Sequence, residues 1–265
     1  MRWWLGIAVT LAVLIGWQRA TTWMTANRVT GWAFFPPPLD AARTMRELWF
    51  SGPPWRLFLT DRALADLLPS LVRLFTGWGA ACAAGVALGV ALGRSPVLRQ
   101  YVDPLLQLGR AIPPPMLISV FIALFQFGTQ MQLATIVFGV VWPVLLNSTE
   151  GARSVDQQFL DSATVFGLSR TQRVTRVILP AAAPKIAAGL RLSLSLALVL
   201  MVISEMVGST DGIGRHLLVS QRRFELPEMW AGILLLGILG IVLNLGFLAV
   251  ERRVLAWHRR SRHLN

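Results

Sequence analysis

The sequence is poor in the residues that most enzyme chemistry needs. It has one cysteine, Cys82, inside "GAACAAG". A single thiol makes no disulfide within the chain and no cysteine-based metal site, so Cys82 reads as a small packed residue. It has one lysine, Lys185, preceded by Pro184 and followed by Ile186. A nucleotide-hydrolysing P-loop needs Gly-Lys-Ser/Thr, so this chain carries none. If it drives transport, another polypeptide supplies the ATP site. The three histidines, His216, His258 and His263, lie outside the long apolar runs and lack ligand spacing, which argues against a metal site and an intramembrane enzyme. Charged residues make up only 14% of the chain, where a soluble domain carries roughly a quarter.

What the chain has is apolar length. Hydrophobic residues are 54% of it and its mean hydropathy is +0.57. A hydrocarbon core of about 30 Å needs about 20 residues of helix. The runs predict six spans, at 3–24, 69–93, 105–127, 131–149, 182–207 and 229–250, in an all-α polytopic protein. The first is short, but "QRATTWM" after it is a poor cleavage site, so it reads as an uncleaved span. The net charge of +12 is almost all arginine. In a polytopic chain that excess marks cytoplasmic loops and tails. Aromatic and basic residues do not interleave outside the spans, so no nucleic-acid partner is expected. The basic tail "ERRVLAWHRRSRHLN" puts the C-terminus in the cytoplasm, and six spans return the N-terminus there.

The chain therefore divides into an N-terminal span (1–24), an extracytoplasmic segment (25–66), a transmembrane domain (67–253) and a basic tail (254–265). The extracytoplasmic segment opens with the proline-rich 34–38 and continues as an amphipathic helix over 39–50. Gly85, Gly89 and Gly93 recur every fourth residue, a pattern that lets helices approach closely in lipid. Pro113 to Pro115 cannot sit in an undisturbed helix, so the third span breaks there. Gly208, Gly212 and Gly214 read as turns.

The polar loop 150–181 is the feature that composition does not explain. "DQQFLDSATVFGL" predicts an amphipathic helix with Phe159, Leu160, Ala163, Val165 and Phe166 on one broad face. Gly167 ends it as a C-cap. A second helix is expected over 171–179, stopped by Pro180, with Arg170, Arg173 and Arg176 along one stripe. On these grounds two readings stand: a surface hairpin, or a docking element whose apolar face fits a partner's groove.

The spacing resembles a known family. Asp161-Ser162-Ala163, three residues, Gly167, nine residues, Val177, one residue, Leu179-Pro180 is similar to the cytoplasmic motif of bacterial ABC importer permeases. That motif has Glu-Ala-Ala, Gly, Ile and Leu-Pro at the same intervals. Other stretches resemble the permeases for taurine, aliphatic sulfonates and nitrate: Pro36 to Pro38, Asp103 to Pro114, Pro143 to Asp156, Leu179 to Arg191 and Glu205 to Gly214. The resemblance implies the six-helix type I (MetI-like) permease fold in the bacterial inner membrane, with the loop as a coupling helix. It implies a homodimer on two ABC ATPase subunits that hold ATP and magnesium, with no cofactor on this chain. An extracytoplasmic binding protein would deliver a small anion such as a sulfonate, taurine or nitrate. The same scaffold also imports pyrimidine vitamin precursors. A secondary transporter is the alternative class, but no internal repeat is visible.

Candidate path residues are Arg110, Pro113, Pro114, Asn147 and Ser195. Arg110 faces either an anion or the cytoplasmic surface. Glu205 is either an outer gate or binding-protein contact, or an acid bonded to the glycine-rich turn after it. Lys185 and Arg191 read as snorkelling side chains.

Overall fold

A computed structural model describes residues 3–27 and 34–256. Segment 28–33 and the tail beyond residue 256, with His258 and His263, lie outside the described residues. Every regular element among those described is helical. Among the described residues five helices are long and apolar enough to cross a membrane, and a sharply bent pair makes six if it counts as one span. The chain forms two compact units, Met1–Ser70 with Thr210–Leu239, and Leu71–Ser209 with Gly240–Asn265.

In the first unit, α1 (Trp3–Ala26) is followed by α2 (Pro38–Trp49), which starts on a proline and carries Asp40 in its first turn. Both features suit a helix N-terminus. The expected helix is therefore present, with Trp49 fully buried beside Met45 and Leu48. The Trp49 indole N–H donates to Asp66 (3.0 Å). The second span, α3 (Asp61–Arg94), starts eight residues before the expected 69. Thr60 accepts the Ala63 N–H through its hydroxyl (3.1 Å), and Asp61 occupies the first turn.

The segment 208–228, in which Gly208, Gly212 and Gly214 are expected to mark turns, holds α10 (Ile213–Arg222). Only Gly212 of the latter two glycines has positive φ (+98°); Gly214 is an ordinary helical residue. The buried His216 packs edge-on against Trp49 (4.9 Å between ring centres). Arg62 reaches Glu228 (3.0 Å) and His216 Nδ1 (3.1 Å). A guanidinium only donates, so His216 accepts through Nδ1. Burial pushes its pKa below the usual value, and neighbouring Arg62 adds to that against the opposing pull of Asp66. The last span, α11, covers Leu226–Val254.

The second unit is built on close packing of α3, α6 (Thr129–Arg153) and α9 (Leu179–Gly208). The glycine ladder of α3 is the contact face. A β-carbon at Gly85 would lie 2.8 Å from Val144, and one at Gly89 2.7 Å from the Leu145 carbonyl. Leu74, Ala81, Ile136, Val140, Ala197 and Met201 fill the core between these helices.

The third span is two helices rather than one run over 105–127. α4 (Pro96–Ala111) starts at Ser95, whose hydroxyl accepts the Leu98 N–H. Pro113 is extended, Pro114–Leu117 forms a 3₁₀ turn, and α5 (Ile118–Phe125) leaves at 84° to α4. The consecutive prolines supply no backbone donors, so the chain cannot continue the α-helix there.

Candidate functional site

The 154–181 loop is held by local hydrogen bonds at each step. Asp156 caps α7 (Gln157–Val165), accepting the Gln158 N–H (3.0 Å). At its end Gly167 takes φ +68°. The Gly167 N–H donates to Thr164 O and the Leu168 N–H to Ala163 O, each at 3.0 Å, the bond pair that defines a Schellman C-cap. Ser169 and Gln172 then form a reciprocal capping box for α8 (Arg170–Arg173). Arg173 folds back onto Leu168 O (2.9 Å) and Thr164 Oγ1 (3.1 Å), tying the two helices together.

Two expectations for this loop fail. Pro180 does not stop the second helix. A π-helical stretch, Val174–Ile178, joins α8 directly to α9, with the Leu179 N–H donating to Val174 O. In an α-helix the Pro180 ring would collide with the carbonyl four residues back, and the wider π turn relieves that crowding. The apolar residues of α7 also do not share one face. Leu160 is buried with Val155, Ile178 and Ala182 and Ala163 is buried too, whereas Phe159, Val165 and Phe166 are 61%, 85% and 82% exposed. Ala163 is thus small for packing within the chain.

Of the other motif residues, Asp161 accepts from Gln157 (2.9 Å) and Ser162 donates to Gln158 O (2.8 Å). A groove of about 650 Å³ runs beside them, lined by Phe159, Ser162, Phe166, Arg176, Val177 and Pro180.

The candidate path residues are dispersed. Arg110 is exposed in the last turn of α4. Pro113 is exposed at the break, while Pro114 abuts α6 at Gly139. Asn147 donates to Pro143 O (2.8 Å) and packs on Gly189 of α9. Ser195 is exposed on α9. Lys185 pairs with Glu150 (3.2 Å) and Arg191 with Glu251 (3.7 Å).

Glu205 has a partner that the sequence reading missed. It is 1% exposed, and Arg73, 6% exposed, donates to it at 2.8 Å from α3. Arg73 is a lone charge inside an apolar span, itself a signal of function. Arg73 and Arg94 are 21 residues apart on α3, or about 31 Å of helix, the thickness of a hydrocarbon core.

The family model described as "Binding-protein-dependent transport system inner membrane component" matches residues 83–256. The chain belongs to this family of ABC importer permeases. The permease is 31% identical to the taurine transport system permease protein TauC of Escherichia coli, over 94% of this chain and 88% of TauC. It is 31% identical to the nitrate import permease protein NrtB of Synechocystis, over 70% and 68% of the two chains. It is 28% identical to the bicarbonate transport system permease protein CmpB of Synechococcus elongatus, over 97% and 88%. Among solved structures, a chain of the MetNI methionine ABC transporter superposes with a TM-score of 0.64. That match covers 71% of this permease and 94% of that chain, at 18% identity. The expected MetI-like fold is therefore present.

Proposed function

We propose that two copies of this permease form the path of an ATP-driven importer for a small oxyanion. A binding protein delivers the anion from outside, and a separate ATPase docks on the 154–181 loop. The observation that carries this reading is the loop itself. Its backbone is closed by its own caps, yet it presents Phe159, Val165 and Phe166 to the outside. A rigid, locally satisfied element with an exposed apolar face suits a partner's groove. Asp161, Ser162, Gly167, Val177, Leu179 and Pro180 form or support this contact, and Ala163 packs behind it.

The anion class draws support from relatives named for taurine, nitrate and bicarbonate. Arg110 suits an anion, because a guanidinium pairs with planar oxyanions in a forked geometry. Pro113 and Pro114 set the break that exposes it, and Asn147 and Ser195 are further path candidates. ATP and magnesium belong to the ATPase. Both termini and the loop face the cytoplasm of the inner membrane, and 25–66 and 208–228 face outward.

The test is uptake of labelled taurine, nitrate and bicarbonate by cells expressing the permease with its ATPase and binding protein. Uptake of at least one should stop when the ATPase is disabled. Uptake that persists without ATP hydrolysis refutes the importer reading in favour of secondary transport.

A further inference from the structure

α3 and α6 run parallel in one register. Gly77 faces Ile136, Gly85 faces Val144 and Gly89 faces Ser148, each pair 59 positions apart. One turn further along the same ladders stand Arg73 on α3 and Gln132 on α6, also 59 positions apart. α9 runs antiparallel to α6, with Leu200 against Gly139 and Gly208 against Met131. Glu205 therefore falls within one turn of the same level. Three long polar side chains are therefore carried at about the same level of the helix trio.

Arg73 and Glu205 are paired. Gln132 is not. It is 0% exposed, and neither its amide oxygen nor its amide nitrogen has a hydrogen-bond partner among the described residues. A buried amide with both ends unmet weakens the conformation that contains it. Leucine of similar size in its place would carry no such cost.

We propose that Gln132 is an alternate partner for the Arg73–Glu205 pair, engaged when the pair separates during the transport cycle. The inference rests on the importer reading above. Glutamine is the side chain that can serve either ion: its oxygen accepts from a guanidinium and its nitrogen donates to a carboxylate. Opening a buried pair removes a charge-compensating contact from each ion, which disfavours the open state. The amide lowers that penalty. α9 supplies the motion. It is one helix from Leu179 at the loop to Glu205, about 39 Å, so displacement of the loop reaches the pair directly. Gln132 acts here as a positioning residue through the two ions and need not touch the transported solute.

The test uses the full complex of permease and ATPase in proteoliposomes. Gln132→Leu and Gln132→Met both remove the amide while keeping its bulk. Their thermal midpoint should equal or exceed that of the wild type, and ATPase should be recovered at wild-type stoichiometry. ATP turnover should nevertheless fall about fivefold or more. Gln132→Asn, which keeps the amide on a shorter stem, should recover part of it. Wild-type turnover in the Leu and Met variants overturns the proposal. A lowered midpoint that tracks the lost turnover in both also overturns it, and makes Gln132 a structural bonding group. A wild-type complex that hydrolyses no ATP sinks the importer reading, and this inference with it.

Discussion

Gly167 separates two effects that a single substitution would merge. Its φ of +68° is a conformation that side chains with a β-carbon disfavour, and nothing lies within 4 Å of where that carbon would stand. Gly167→Ala therefore introduces backbone strain and no clash within the chain. That strain is worth about 1–2 kcal/mol. Gly167→Arg carries the same strain and adds a long cation to the surface beside exposed Val165 and Phe166. If the ATPase sits on this surface, the bulk falls at the contact. A central interface disruption typically costs about 2–4 kcal/mol, which is about thirtyfold to a thousandfold in affinity. The assay is titration of purified ATPase onto permease in nanodiscs, with the thermal midpoint of each variant measured alongside. Ala and Arg should lower the midpoint equally, and only Arg should lose the ATPase. Equal ATPase affinity for the two variants would falsify docking at Gly167 and leave the loop a surface hairpin.

Glu205→Leu alone should destabilise the permease by about 3–5 kcal/mol, because it removes the carboxylate that the buried Arg73 donates to. The double variant Arg73→Met/Glu205→Leu should recover most of that in thermal unfolding. Gly89→Ala drives a β-carbon to 2.7 Å from the Leu145 carbonyl, so α3 and α6 must separate; about 1–3 kcal/mol should be lost, read as a lower unfolding midpoint. Arg110→Gln should cut anion uptake with the complex intact, and Arg110→Lys should restore only part of it, since lysine keeps the charge but not the planar fork. His216 has a folded-state pKa below its unfolded one because it is buried. The unfolded chain thus takes up the proton first, and stability falls as pH drops below about 6.5. His216→Gln should flatten that part of the midpoint-against-pH curve.

Periodic features were the legible ones. The four-residue glycine spacing of α3 is a local pattern, and its small face meets α6 as such spacing implies. The proline break and the Gly167 cap are likewise written in single residue types, proline for its missing donor and glycine for its ease at positive φ. Features that depend on neighbours were not legible. Pro180 reads as a stop if only its missing donor is counted, whereas the π turn before it makes room for the ring. The start of α3 was placed at the edge of the apolar run, although Thr60 and Asp61 cap it earlier. α10 was hidden because three glycines looked like turns and only Gly212 has the turn's backbone. The Arg73–Glu205 pair joins residues 132 positions apart. A hydropathy window averages one arginine away, and no local pattern names its partner.

The same contrast explains why this loop is polar and still rigid. An element that passes force between two proteins must keep its angle under load. Part of that support is the buried packing of Val155, Leu160 and Ile178, and the rest comes from hydrogen bonds. Here the bonds are dense: an Asp cap, a Schellman cap, a capping box, and Arg173 bridging Leu168 and Thr164. The polar residues are consumed in holding the backbone, so the outward face falls to Phe159, Val165 and Phe166. Because helix continues from Arg170 through the π stretch into α9, the loop has no hinge at Pro180. Under the proposed docking, a push on its apolar face is passed to α9, whose far end carries Glu205.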